Sequence, residues 1–332
     1  MSKHLARADN SVFQGEKILA AISSGGDSVA LFWWLKSQNA EFAVGHVHHD
    51  LHELRGDECA RDAEFVRALC ERGGVEFHLE KLDLPRKNGP HVNEATAREA
   101  RYLALERMAR RCGAKSVATA HSATDLLETA ILNLLRGGGF GGWNGFAPLR
   151  SLGGDLGLAR PFWRVTREEL REFLREIGEN WREDASNFAP DFLRNRVRHE
   201  VLPLLENIGG HDLPSLARGF ARNAQIARDE DDFAAREAAK ALETLVLERE
   251  NHKVVLDGTK FRELHPAISR RVLRLCLALL KISEREIGFE KVEEVRLHVL
   301  GGGKRKVWNW RRDLFVEWTG AACGNRLRVW RV

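Results

Sequence analysis

Three groups of side chains in this chain have the types and spacing for joint chemistry. The first is Ser23-Ser24-Gly25-Gly26-Asp27-Ser28, which follows an apolar run and precedes a helical one. Small residues at such a turn let backbone N–H groups converge on an anion, and the positive end of the following helix favours the same anion. Phosphate is the natural candidate, although no GxxxxGK[ST] loop is present. A carboxylate inside an anion nest is costly unless a cation accompanies it, so Mg2+ held by Asp27 against phosphate is one reading. A serine-capped helix whose Asp27 complements the dipole is the other. The second group is Asp125 and Glu128, which at i and i+3 share one helix face close behind His121. As capping and dipole groups they need no function; beside a phosphate turn they offer a negative surface to an amine. The third group, Arg194, Arg196, Arg198 and His199, suits phosphate contacts, with ordinary surface arginines as the alternative.

The elements around these groups alternate. Ile18 to Ile22 reads as a strand and Val29 to Leu35 as its helix; Phe42 to His48, Glu58 to Gly73 and Val75 to Leu79 read as strand, helix and strand. Asn93 to Cys112 is a capped helix, Val117 to His121 a fourth strand and Asp125 to Leu135 the helix after it. This order predicts a doubly wound parallel α/β sheet with right-handed crossovers and ligands at the carboxyl ends of its strands. His46, His48, His49 and His52 crowd the end of the second strand; a zinc site there lacks a nearby cysteine or finger-like ligand spacing.

Residues 1 to 16 read as a loosely held arm, Pro85 to His91 as a linker, and the six glycines between Gly137 and Gly145 as a loop that must move. Gly209 and Gly210 mark a boundary, giving a catalytic domain over 1–210, a helical linker over 211–248 and a smaller α+β domain over 249–332. The linker, from Leu213 to Leu247, reads as a helix pair. In the last domain Val254 to Leu256 is a strand, Pro266 to Leu280 and Phe289 to Leu300 are helices, and strands close the chain. There Lys304, Arg305, Lys306, Arg311 and Arg312 interleave with Trp308 and Trp310. That pattern suits single-stranded RNA, though both tryptophans fit equally into the core of a small sheet.

The composition permits this reading. A net charge of +4 over 332 residues tolerates a polyanionic partner without demanding one. Five cysteines with no CxxC pair argue against a disulfide framework or a local cluster motif. No apolar run approaches the ~18 residues of a membrane span, so no membrane role and a cytoplasmic location are expected.

The Ser23–Ser28 turn resembles the SGGxDS signature of the PP-loop ATP pyrophosphatases, with Ser24 where the pattern has its first glycine. HVHHDL resembles the HVNHGLR element of one branch, and Arg98, Arg101 and Tyr102 match its AR..RY pattern. TAHSATDLLETAILNLLRGGGFGGWNGF is similar to a block of the tRNA(Ile)-lysidine synthetase family: Asp125, Glu128, Thr129, Asn133, Arg136 and Gly137 fall on the pattern, whereas Ser122, Thr124 and Leu126 depart from it. Arg160-Pro161-Phe162 with Thr166 to Leu170, Trp181 to Asn187 and Arg194 to His199 follow the same family's elements in order, so the resemblance runs from about Ile18 to Pro203.

The resemblance implies ATP and Mg2+ as cofactors, and L-lysine and isoleucine tRNA with a CAU anticodon as partners; a homodimer is compatible with it. It implies two steps. The C2 oxygen of the wobble cytidine attacks the α phosphate of ATP, and the amine of lysine then displaces AMP. Ser23, Ser24, Gly25, Gly26, Asp27 and Ser28 would bind ATP, Asp27 the metal, and Asp125 and Glu128 the lysine. Asp27, Arg98, His121, Asp125, Glu128, Arg194 and Arg196 would serve catalysis, with His121 or a carboxylate taking the ammonium proton. Arg198 and the Lys304–Arg312 cations would contact RNA. A pyrophosphatase of the tRNA-thiolating kind is disfavoured by the missing clustered cysteines; a non-catalytic RNA-binding relative is the remaining rival.

Overall fold

The computed structural model describes residues 2–13, 15–49, 56–82, 94–137, 144–182, 193–283 and 286–332. They form two compact units, Met1–Ile226 and Ala227–Val332.

The first unit is built on a six-stranded sheet of order β3-β2-β1-β4-β6-β5. Its strands are β1 (Ile18–Ala21), β2 (Phe42–His49), β3 (Phe77–Leu82), β4 (Ser116–Ala118), β5 (Leu149–Gly153) and β6 (Leu156–Ala159). All pair in parallel except β5, an antiparallel edge strand on β6. Side chains alternate across the sheet. Ile18, Ala20, Phe42, Val44 and Ala118 pack toward α1 (Gly26–Ser37) and α2 (Gly56–Gly73), while Leu19, Ala43, Val117 and Leu158 pack toward α3 (Glu94–Cys112). Gly45 is fitted to this contact, since a Cβ there would lie 3.0 Å from the Leu19 side chain.

The chain builds outward from β1 to β2 and β3, then returns to place β4 on the other side of β1. That reversal is the topological switch point, where the crevice of an open α/β sheet lies. Three helices begin at this end of the sheet: α1 after β1, α4 (Ala123–Leu135) after β4, and α5 (Arg167–Glu176) after β6.

Several local differences from the expected elements have plain causes. β3 starts at Phe77 because the Val75 N–H closes the end of α2, donating to the Cys70 carbonyl at 2.9 Å. β4 ends at Ala118 because Ser122 already caps α4, leaving His121 in the connection. The N-terminal arm is anchored: Leu5 and Val12 are buried and Trp163 Nε1 donates to Asp9 at 3.0 Å. The Pro85–His91 linker, residues 138–143 of the glycine loop and residues 183–192, with part of the Trp181–Asn187 element, lie outside the described residues.

Instead of a helix pair, Leu213–Leu245 is one 33-residue helix, α6. The charged stretch within it lacks the glycine or proline that would break it.

The second unit folds around a five-stranded antiparallel sheet of order β7-β8-β11-β10-β9, comprising β7 (Val246–Glu250), β8 (Lys253–Asp257), β9 (Lys306–Arg311), β10 (Leu314–Trp318) and β11 (Arg326–Arg331). α7 (Pro266–Leu279) and α8 (Phe289–Leu300) share its core. Trp308, Trp310 and Trp318 are part of that core, which decides between the two readings of the first pair.

Candidate active site

The turn after β1 is drawn together by serines. Ser28 Oγ donates to the carbonyls of Ser23 and Gly25 at 2.6 and 2.8 Å, and the Ser23 N–H donates back to Ser28 Oγ. Ser24 is not strained: among the described residues the only non-glycine positions with positive φ are Asn39, Lys281 and Asn325. Its hydroxyl donates to Asp62 of α2 at 2.8 Å, and Arg182 Nε donates to the same carboxylate oxygen at 2.7 Å. The Arg182 N–H in turn donates to the Ser24 carbonyl, and Trp181 lies against Gly26, where a Cβ would sit 3.2 Å from the indole. A serine at the glycine position of the pattern thus ties the turn to its neighbours.

Asp27 and Asp125 come from helices that start beside each other, because Ala20 of β1 is level with Ala118 of β4. Asp125 closes a capping box, its Oδ2 accepting from the Ser122 N–H and hydroxyl at 2.9 and 2.8 Å. Between the two helices lies Arg167, the first residue of α5. Its guanidinium reaches Asp27 at 3.3 Å, Asp125 at 2.9 Å and Glu128 at 3.4 Å. Arg194 adds bonds to Asp125 and Glu128, both at 2.9 Å, and Arg198 holds Glu128 at 2.8 and 3.2 Å. Three carboxylates therefore face three guanidiniums, and Glu128 is 0% exposed.

The electrostatics separate the acids. Burial and the neighbouring Asp125 carboxylate push Asp27 up to about 6, against the pull of Arg167. Burial would also raise Asp125, but Arg167, Arg194 and the Ser122 backbone outweigh it and hold it well below the carboxylate range. Asp27 is thus the less fully compensated of the two aspartates, with Arg167 as its partner at 3.3 Å, and is the residue that would hold a divalent metal. Among the described residues no cluster of three or more His, Cys, Asp or Glu side chains is arranged to hold a metal alone; His52 and the His49 side chain lie outside them.

A second set of cations has no acidic partner among the described residues. Arg98 and Arg150 lie over the Tyr102 ring at 5.5 and 5.0 Å, and the buried Arg160 donates to the Ala147 carbonyl at 2.5 Å while its Nε has no partner. His121 senses both sets: burial, with Arg160, Arg194 and Arg98 nearby, pushes it down to about 3.

A PP-loop domain family model matches residues 1–205. The tRNA(Ile)-lysidine synthase of Solibacter usitatus is 32% identical over 310 residues, covering 90% of this chain and 67% of that protein. The chain belongs to the tRNA(Ile)-lysidine synthase family of PP-loop proteins. The synthase of Thermus thermophilus is 38% identical over 231 residues, 68% of this chain and 42% of that protein. The chain thus spans roughly two fifths to two thirds of the length of these two family members. The U34-tRNA thiolase NcsA from Methanococcus maripaludis shares the fold, with a TM-score of 0.52 at 16% identity over 67% of this chain and 77% of that one.

The departures from the family pattern now have structural roles. Ser122 caps α4, Thr124 Oγ1 accepts from the Arg167 N–H at 3.2 Å, and the buried Leu126 packs on Gly145, where a Cβ would lie 2.6 Å from the leucine side chain.

Four of these residues are placed differently from the sequence expectation. Asp125 and Glu128 are bound by arginines rather than facing an open pocket. Arg196 lies off the site, bound to Glu200 at 2.9 Å; Arg194 and Arg198, at i and i+4, share the inward face that residue i+2 cannot. Arg198 serves Glu128 rather than a free RNA surface. His121, donating to or accepting from Thr119 Oγ1 at 2.9 Å, is too weakly basic to store a proton near pH 7. The residues missed were Arg150, Arg160 and Arg167. The signal for Arg167 was the capping pair Thr166 and Glu169, which starts a helix at the end of the sheet where α1 and α4 begin.

In the second unit Arg305 binds Glu317 at 2.7 Å, Lys306 binds Glu294 at 2.8 Å and Arg311 binds Asp313 at 2.6 Å; Lys304 and Arg312 are exposed.

Proposed function

We propose that this protein ligates L-lysine to C2 of the wobble cytidine in the CAU anticodon of isoleucine tRNA, using ATP and an adenylated tRNA intermediate, and so changes its codon from AUG to AUA. The observation that carries this reading is the convergence of the Ser23–Ser28 turn, Asp27, Asp125, Glu128 and three arginines at the switch point of a PP-loop sheet. A cytoplasmic location fits, and no helix among the described residues is long and apolar enough to cross a membrane.

In the first step the cytidine O2 forms a bond to the α phosphorus while the bond to pyrophosphate breaks. The N–H groups and hydroxyls of the turn receive the phosphates, and Arg98, Arg150 and Arg160 supply positive charge not already spent on acids. A magnesium ion on Asp27 would neutralise charge on the pyrophosphate. In the second step the amine attacks C2 and AMP leaves. The charge balance of the acid–arginine cluster suggests why the order is fixed. Arg167 or Arg194 must turn from a carboxylate toward a phosphate before Asp125 or Glu128 is free for an ammonium, so lysine binds well only after ATP has. The proton that the ammonium must lose passes to a carboxylate of this cluster.

The acidic limb of the first step tests this assignment. A carboxyl raised to about 6 loses its ionised form as pH falls through that value instead of near 4. tRNA-dependent exchange of pyrophosphate into ATP should therefore fall below about pH 6, and its midpoint should move down as Mg2+ is raised. A limb near pH 4 that ignores Mg2+ would remove Asp27 from the metal site.

A further inference from the structure

The five-stranded sheet of the second unit has two unlike faces. One carries Trp308, Trp310, Leu314, Val316, Trp318, Leu327 and Val329 into the helix-covered core. The other carries the alternate residues, and there Phe315 of β10 stands directly opposite Trp330 of β11. Their rings stack at 5.5 Å between centroids with planes 21° apart, and neither belongs to the core. Both remain partly exposed.

Cations flank this pair. Arg328 and Glu317 occupy the next rung on the same face, about 7 Å along the strands. Glu317 is buried between two guanidiniums, Arg305 at 2.7 Å and Arg328 at 3.1 Å, which fixes both on this face of the sheet. Residues 301–332 carry eight lysines and arginines against two acids. An aromatic surface within so basic a segment is complementary to a polyanion whose units have flat faces.

We propose that the partly exposed Phe315–Trp330 rung of this face is a base-stacking platform for unpaired nucleotides of RNA, with these two rings as the stacking pair and Arg305 and Arg328 meeting phosphates. It rests on the tRNA reading above and narrows where single-stranded nucleotides would lie. A cross-strand aromatic pair also stabilises a sheet, so the test must separate binding from folding.

The full chain is titrated with isoleucine tRNA and with an unpaired RNA of about ten nucleotides, within the range of single-strand sites. The double variant Phe315→Leu with Trp330→Leu should weaken binding of the oligonucleotide by about fivefold to a hundredfold at an unchanged salt slope. Arg305→Gln with Arg328→Gln should instead lower the salt slope, by about one for each lost contact. Ultraviolet crosslinking of wild-type protein to the same oligonucleotide should mark Trp330, and this readout stands even if the double variant does not fold. Wild-type affinity in a folded double variant, or crosslinks only elsewhere, would overturn the proposal. So would a wild-type dimer that the leucine variants dissolve without any change in RNA affinity. If wild-type protein binds the oligonucleotide through Trp330 yet forms no lysidine, the platform stands and the enzymatic reading fails.

Discussion

Replacing Glu128 by glutamine should abolish both steps of the reaction and lower stability by about 3 kcal/mol. The side chain is 0% exposed, and its two oxygens accept from Arg167, Arg194 and Arg198. Taking one partner from a buried ionic group typically costs about 3–5 kcal/mol, because the remaining charges stay buried without compensation. The lower end applies here, since the three guanidiniums keep 20–27% of their surface in solvent. Released arginines also leave their places, and a shift of about 1 Å in such groups can cost about a hundredfold in rate. Had Glu128 faced an open lysine pocket, only the KM for lysine would rise. Thermal melting together with pyrophosphate exchange in Glu128→Gln distinguishes the two outcomes. Wild-type exchange with impaired lysine transfer alone would contradict the cluster assigned here.

Asp27→Asn should have the opposite signature. Asp27 is raised above the ordinary carboxylate value, so its ionised form weakens the fold at neutral pH, and that cost fades as pH falls through about 6. Asparagine removes the cost, and Arg167 keeps its bonds to Asp125 and Glu128. The melting temperature should match or exceed that of the wild type. Adenylation should drop by about 10²–10³, the usual effect of losing one electrostatic group in a preorganised site. Normal exchange in this variant would show that the turn binds phosphate without Asp27.

Much of the first unit could be read from local patterns. An apolar run, six small or polar residues and a helical period suffice to place β1, the turn and α1, and two such units predict the switch point. What escaped was set by distance along the chain. Arg167 lies 140 residues from Asp27 and about 40 from Asp125 and Glu128, so no window holds the cluster. Asp125 and Glu128 were placed correctly on one helix face, but which cation satisfies them depends on two segments far downstream. The interleaved Trp308 and Trp310 show a similar limit: period two puts both on one face without saying that α7 and α8 share the core on that side. The aromatic pair on the outer face, Phe315 and Trp330, comes from two strands and becomes visible only with their register.

The central claim is most directly tested by incubating the protein with unmodified isoleucine tRNA bearing CAU, ATP, Mg2+ and labelled lysine, then digesting the tRNA to nucleosides for mass analysis. The expected product is a labelled nucleoside with the mass of cytidine plus lysine less one water, found at the wobble position and absent when ATP is omitted. Unmodified cytidine there, with ATP and lysine both present and the protein folded, would contradict the account.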